Sequence, residues 1–312
     1  MPTVTYTNIQ TGVTQDITTL CKAATWKTKR VGSPAQLDLT LVPDSDVQII
    51  EGGIITLDDL FKGYVFKRTH NEKGETGLTA YDQIRYLKNK DTYVFQGQRA
   101  DQITAQIAAD FGITCGALAN TGYVIPQMVE DNKTLLDIIC KALDLTLINS
   151  KKMFYLWDDF GRLRISDVAT SALGLMIGDG SLATAYTATS DIDSDTANKV
   201  KLYRDNKTTG KRDVYIVQDS NTMRTWGVLQ HTEGVAEELN EAQIEAMADS
   251  LLELKNRPKS TFSITAIADL AVRAGRAVKI EIADIGINGW YIVDECTHDL
   301  LKETMQLKVV IV

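Results

Sequence analysis

Apolar and polar residues alternate through Gln36-Leu-Asp-Leu-Thr-Leu41, which puts Leu37, Leu39 and Leu41 on one face of a strand. Gly52-Gly53 then leads into Ile54-Ile-Thr-Leu57, and Gly63 opens the run Tyr64-Val-Phe-Lys-Arg-Thr-His70. Short alternating runs separated by glycines predict a small barrel or sandwich in the first third of the chain. The period then changes. Ile103, Ile107 and Phe111 form an i, i+4, i+8 stripe, with Gly112 at the position of a C-terminal cap. Leu135, Leu136, Ile139 and Leu143 share the face of a second helix, for which Asn132 is the expected cap. Lys152–Trp157 and Gly161–Ile165 read as a hairpin around Asp158-Asp-Phe-Gly161, so residues 80–168 predict an α+β unit between two β regions.

Ser190-Asp-Ile-Asp-Ser-Asp-Thr-Ala197 is small and acidic, the composition of a linker. Lys199–Tyr203 and Asp213–Val217 predict a hairpin whose loop contains Asn206-Lys-Thr-Thr-Gly210. Asn240 followed by Gln243 makes a capping box for a helix with a stripe of Ile244, Met247, Leu251 and Leu254, stopped by Pro258. Strand-like runs at 261–265, 277–282, 290–293 and 305–312 finish the chain. The expected division is 1–79, a first β-barrel; 80–189, an α+β insertion; and 190–312, a second β-barrel with an inserted helix at about 240–256.

The two β regions share an order of features. Strand, Glu51-Gly-Gly53, strand and Gly63–His70 in the first correspond to strand, Ala274-Gly275, strand and Gly289–His298 in the second. This predicts an internal duplication with Gly53, Gly63, Gly275 and Gly289 at the repeated turns and His70 and His298 at matching strand ends, in symmetric structural roles.

The chain has 312 residues, enough for two or three domains, with 44% hydrophobic and 24% charged residues and five prolines. No apolar run reaches the ~18–20 residues of a membrane span. The N-terminal Met-Pro-Thr-Val-Thr-Tyr-Thr has neither a basic nor an apolar stretch, so no secretory signal is expected. The net charge of −8 argues against sequence-independent nucleic-acid binding, and Lys27-Thr-Lys-Arg30 and Lys207–Arg212 are short, isolated basic clusters. Four scattered cysteines without a Cys-x-x-Cys pair fit a reducing cytoplasm, with Cys140 a small core residue.

No phosphate-cradling glycine loop occurs; Asn206–Arg212 only echoes one. Cys296 and His298 share a strand face but lack a second ligand pair, and His231 lies in a loop, so neither metal nor cofactor is expected. Asp158-Asp159 and Glu237-Glu238 sit in a turn and before a capped helix, where acids serve hydration and the helix dipole. The densest cluster, Tyr81, Asp82, Arg85, Tyr86 and Tyr93, predicts a helix over Ala80–Leu87 with Asp82 and Arg85 on its wet flank, then a strand Asp91–Phe95. On that reading it packs, and is not an active site.

Taken in order, Tyr64–His70, Leu78–Lys90, Asn198-Lys-Val-Lys-Leu202 and Gly289–His298 with Met305-Gln-Leu-Lys308 resemble the baseplate hub proteins of contractile phage tails, the XkdQ/YqbQ-like family. The resemblance spans essentially the whole chain. It implies two tube-type β-barrel domains with inserted α+β material, assembled as a homotrimeric ring. Such a ring caps the six-fold tail tube and receives the three-fold central spike, beside other baseplate proteins and the tape measure protein, in a phage or a tailocin. It implies neither catalysis nor a membrane or sequence-specific nucleic-acid partner. An acidic chain suits a conduit, because an acidic bore repels passing DNA. Two other classes stay open: a peptidoglycan hydrolase using Glu237 or Asp158, and a glycan- or peptide-binding module using Trp157, Trp226 or Trp290, although strand-borne Trp157 and Trp290 are expected in the core.

Overall fold

The computed structural model describes residues 1–310 apart from 45, 207–209 and 238. Its first third is β: β1 (Val4–Thr7), β2 (Thr14–Asp16), β3 (Cys21–Lys29), β4 (Gln36–Leu41), β5 (Ile54–Leu57), β6 (Phe61–His70) and β7 (Thr76–Tyr81). The middle holds β8 (Lys90–Gln98), α1 (Ala100–Asp110), β9 (Cys115–Leu118), β10 (Ile125–Thr134), α2 (Leu135–Ser150), β11 (Phe154–Asp158), β12 (Leu163–Asp167), β13 (Ala172–Gly178) and β14 (Ala183–Asp191). There follow β15 (Lys199–Asn206), β16 (Lys211–Gln218), α3 (Ser220–Trp226), β17 (Gln230–Gly234) and α4 (Glu241–Lys255). β18 (Lys259–Ile267), β19 (Ala277–Ile282), β20 (Ile287–Asp299) and β21 (Thr304–Val310) complete a mainly-β chain.

Thirteen strands from both β regions share one hydrogen-bonded sheet, ordered β14-β18-β21-β20-β3-β4-β7-β6-β5-β1-β2, with β19 on β20 and β13 on β19. The seam is an antiparallel ladder between β20 and β3, from Glu295↔Lys29 to Asp299↔Thr25. One pairing order occurs twice. β3-β4-β7-β6-β5 in the first region is repeated by β14-β18-β21-β20-β19 in the second, antiparallel at every step. The irregularities recur as well. β3 bulges between Cys21 and Ala23 and β14 between Ala183 and Ala185; β6 bulges between Val65 and Lys67 and β20 between Val293 and Glu295. A bulge shifts every later side chain to the other face, so matching bulges keep the two faces equivalent. The flanks differ: β1 runs antiparallel to β5, whereas β13 runs parallel to β19.

This register corrects the expected correspondences. Gly63 and Gly289 lie inside β6 and β20 rather than at turns, and Gly63 opposes Ile55 where the equivalent rung pairs Val278 with Tyr291. Gly275 matches Gly52, not Gly53. Both have positive φ (+88° and +81°), and each donates its N–H to the carbonyl of the equivalent valine, Val293 or Val65, at 2.8 Å. His70 and His298 do hold equivalent rungs, opposite Thr76 and Met305, but His70 is exposed and His298 fully buried, so their roles are not symmetric. β13 and β14, expected in the middle unit, belong to the large sheet, and β14 takes up Ser190 and Asp191 of the expected linker.

Each region has its own core. Trp26, Leu37, Leu39, Ile55 and Leu57 centre the first, and Phe262, Ile264, Ile280, Val293 and Leu307 the second. Between them α1 and α2 pack with β8, β10, β11 and β12 around Ile103, Ile107, Leu135 and Ile139. α4 covers Val200 and Leu202 of a separate three-stranded sheet, β16-β15-β17. The β15–β16 hairpin forms from the expected strands, although Lys207 to Thr209 of its loop and of the basic cluster fall outside the described residues, as do Glu238 and the last two residues of the run 305–312. The Asn240–Gln243 capping box is formed. Asn240→Ala is therefore expected to cost about 1 kcal/mol, read as a lower urea midpoint at unchanged m-value. α2 is capped by Thr134 rather than Asn132, whose positive φ of +50° places it in the irregular end of β10.

Candidate functional site

The stretch Ala80–Phe95 forms no α-helix. β7 runs through Tyr81, Asp82 caps a 3-10 helix over Gln83–Lys88, and β8 follows. Asp82 is not on a wet flank; it is 1% exposed. Its Oδ1 accepts from the Ile84 N–H and its Oδ2 from the Ala35 N–H, each at 3.0 Å. Gln83, also buried, donates from Nε2 to the Thr114 carbonyl (3.1 Å) and to Asp158 Oδ2 (2.8 Å). Asp158 Oδ1 accepts from the Gly161 N–H at 2.7 Å and closes the β11–β12 hairpin. From the second β region Arg273 reaches in, donating from Nη2 to the Asp158 carbonyl at 3.1 Å. Its guanidinium lies over the Trp157 ring at 4.4 Å and near Trp26 at 5.9 Å.

Residues from all three expected divisions thus meet in one buried polar node. Burial, then the charge of Asp158, push the Asp82 carboxyl well above the usual 3.8, and burial also raises Asp158. Burial lowers the Arg273 guanidinium, opposed by the charge of Asp82. Both Asp82 oxygens are occupied by backbone amides in a site closed to solvent, so the carboxylate ties the backbone at Ala35 to the start of the 3-10 helix. Asp82 was visible in the sequence, with the wrong environment. Arg273 and Trp26 were not singled out; the signals were an arginine within Ala271-Val-Arg-Ala-Gly275 and the alternation of Ala24, Trp26 and Thr28 on β3.

Cys296 and His298 are brought together, Sγ to Nε2 at 3.1 Å, beneath Trp26, which stacks on the imidazole at 5.3 Å and 19°. His298 Nε2 also lies 2.8 Å from the Val272 carbonyl, which makes it the protonated, donating nitrogen, and burial lowers the pKa of the ring. Among the described residues no group of three or more His, Cys, Asp and Glu could hold a metal. His231 is on β17, beside Glu233 at 3.2 Å. Glu237 lines a groove of about 600 Å³ between β10, α2 and α4; Asp158 does not, so the two acids do not share that cavity. Trp290 is 53% exposed on β20 instead of in the core, Trp226 ends α3 half-buried, and Trp157 is held by Arg273 and by a 2.9 Å bond from Nε1 to Ser166 Oγ.

The polar face of the joined sheet is an extended, registered surface. Registered rungs run Thr187–Ser263–Lys308–Glu295–Lys29 and, beside them, Ala185–Thr265–Gln306–Thr297–Lys27–Gln36–Tyr81, across β14 to β7. The opposite face carries the two cores, so this one is set by the alternation along the strands, reset at the bulges. Two of its acids are paired with lysines: Asp38 with Lys27 at 2.8 Å and Glu295 with Lys29 at 3.1 Å, the latter across the seam. Burial would raise the Asp38 carboxyl, but hydrogen bonds from Lys27, Gln36 and Thr79 hold it below its usual value. No described helix is long and apolar enough to cross a membrane.

This architecture is that of phage tail proteins. A crystal structure of a prophage MuSo2 43 kDa tail protein from Shewanella oneidensis superposes with a TM-score of 0.71 at 13% identity, covering 99% of this chain and 98% of that one. An E. coli protein described as a type VI secretion component with structural similarity to T4 bacteriophage tail proteins superposes at 0.54 and 10% identity, over 93% and 73% of the two chains. Residues 24–310 match the YQBQ-like family, and the chain is 36% identical over 296 residues to the phage-like element PBSX protein XkdQ of Bacillus subtilis, covering 90% of this chain and 89% of that one. The chain belongs to the YQBQ-like family.

Proposed function

We propose that the protein is a non-catalytic hub of a contractile tail baseplate, in a phage or a tailocin: a homotrimeric ring that joins the six-fold tail tube to the three-fold central spike. The observation that carries this reading is the pairing order that occurs twice in one chain with the same bulges. An interface must match the symmetry of its partner. Three chains with two like units each present six like surfaces to a tube, while the inserted residues, which occur once per chain, keep a three-fold side for a spike. A duplicated ancestral unit is the economical origin of such a chain.

The relative in Bacillus subtilis is a phage-like element protein, and the fold is shared with prophage tail proteins and with a type VI secretion component. The partners on this reading are the tube protein, the spike protein and neighbouring baseplate proteins, with the tape measure protein above. The polar face of the joined sheet is the surface suited to the bore. Two of its carboxylates, Asp38 and Glu295, are paired with lysines, which makes that part of the surface hydrated and less acidic than the net charge of the chain implies. The hydrolase reading finds no support in the relatives or in the separated acids.

Light scattering of the purified protein should give three chains, and negative-stain averages should show three-fold rings around a hole. If tube protein is needed, mixing it in should produce the same ring. A chain still monomeric beside its tube protein would overturn the reading.

A further inference from the structure

The internal ladder β20–β3 specifies how one copy meets the next. In the register that matches the two regions, β6 is the counterpart of β20 and β14 the counterpart of β3. β20 and β3 pair with each other; among the described residues no strand pairs with the outer edge of β6 beyond Val65 or with the free edge of β14. We propose that β6 of one copy pairs antiparallel with β14 of a second copy, in the register of the β20–β3 seam. This rests on the ring reading and gives it a defined interface.

Transposing the seam rung by rung sets Lys67 opposite Asp191, Arg68 opposite Ser190, Thr69 opposite Thr189 and His70 opposite Ala188. The first of these corresponds to Glu295–Lys29, bonded at 3.1 Å. Its counterpart is again an opposite-charge pair, with the signs exchanged between the strands. The next position corresponds to Arg30–Asp294, an ion pair at 2.8 Å, and transposes to Ile192 and Phe66, an apolar pair. Each position is complementary within its own pair, and a mixed pairing would put Lys67 against Lys29. Cross-strand pairs of this kind favour one partner and oppose another.

Burial points to the same edges. Cys296 and His298 are covered by β3, whereas their counterparts Arg68 and His70 are exposed. Ala24 and Trp26 are each 1% exposed, whereas their counterparts Tyr186 and Ala188 on β14 are exposed, Tyr186 to 37%. β14 is nine residues long, exposed along nearly its whole length, and carries neither proline nor lysine to block its edge. An unprotected strand of that length is a template for another chain. Even the loop contact recurs: Arg68 Nη1 donates to the Ile49 carbonyl at 2.6 Å, and its counterpart Cys296 donates from Sγ at 3.5 Å to the carbonyl of Val272, the position equivalent to Ile49.

The test is a Thr69→Cys, Thr189→Cys double variant, oxidised with tube protein present and run on non-reducing gels. The native cysteines alone and the Thr69→Cys, Tyr186→Cys pair, three rungs out of register, serve as controls. A ladder ending in a closed three-chain species, seen only for Thr69 with Thr189, is the expected result. Linkage in the Tyr186 control instead would overturn the register. A trimer by light scattering that does not cross-link would overturn the strand pairing and leave the ring intact. A monomer that does not cross-link would overturn both.

Discussion

Arg273→Met is expected to destabilise the protein by about 3–5 kcal/mol, the usual consequence of removing one partner from a buried charged group and leaving the others uncompensated. Methionine keeps most of the side-chain volume over Trp157, so little of the loss would come from a cavity. What disappears is the Arg273 cation beside Asp82 and Asp158, together with the donor to the Asp158 carbonyl. Trp26 and Trp157 both border the guanidinium, so intrinsic fluorescence during urea unfolding reads the node directly. A loss under 1 kcal/mol would mean that the arginine does not hold the three segments together.

The pH dependence gives this prediction a sign. Asp82 and Asp158 have folded pKa values above their unfolded value near 3.8, so between the two the folded state binds more protons and stability rises as pH falls. Removing Arg273 raises the folded values further and widens that window. The deficit of the variant relative to the parent should therefore be largest at neutral pH and shrink as pH falls through the raised pKa values. His298 works the other way, since its lowered pKa removes stability as pH falls below the usual histidine range, but it is common to both proteins and cancels in the difference. A deficit that grew on acidification would contradict the assignment.

What the sequence revealed and what it hid divide along a physical line. Alternation in Gln36–Leu41 and the capping box at Asn240 are local signals, and both elements formed where expected because nothing tertiary opposed them. Thr-His at 69–70 and 297–298 was legible as a repeat because those rungs are equivalent, while glycine matching slipped: Gly63 and Gly289 are two residues out of register and Gly53 one. Glycine marks where a chain can turn, and bulges that shift register leave no fixed residue signature. The seam between β20 and β3 joins residues more than 260 positions apart, beyond the reach of periodicity. A helix over Ala80–Leu87 puts Asp82 on a wet flank; only the fold brings Asp158 and Arg273 beside it. The family resemblance reached further than any of these signals, because it rested on the order of four segments.

Gly275→Ala should cost about 2–5 kcal/mol, and Gly52→Ala, at the equivalent position, only about 1–2 kcal/mol. Both glycines have positive φ, +88° and +81°, and an L-residue there carries the same backbone strain. The difference lies in what a methyl group would meet. At Gly52 the nearest atom is the Ile9 Cδ1 at 3.2 Å, the far end of a flexible and 54%-exposed side chain that can swing aside. At Gly275 the new Cβ would overlap the edge of the Tyr155 ring, which is 3% exposed and packed against Val168 and Ile292. The glycine cannot retreat either, because its N–H is bonded to Val293 and its carbonyl accepts from Ser171 Oγ at 3.0 Å. Urea unfolding of the two variants side by side measures the difference. Equal losses would mean that Tyr155 can move, and that the contact between the hairpin β11–β12 and the second β region is looser than its burial indicates. A larger loss for Gly275→Ala would show that this contact fixes the middle of the chain against the sheet.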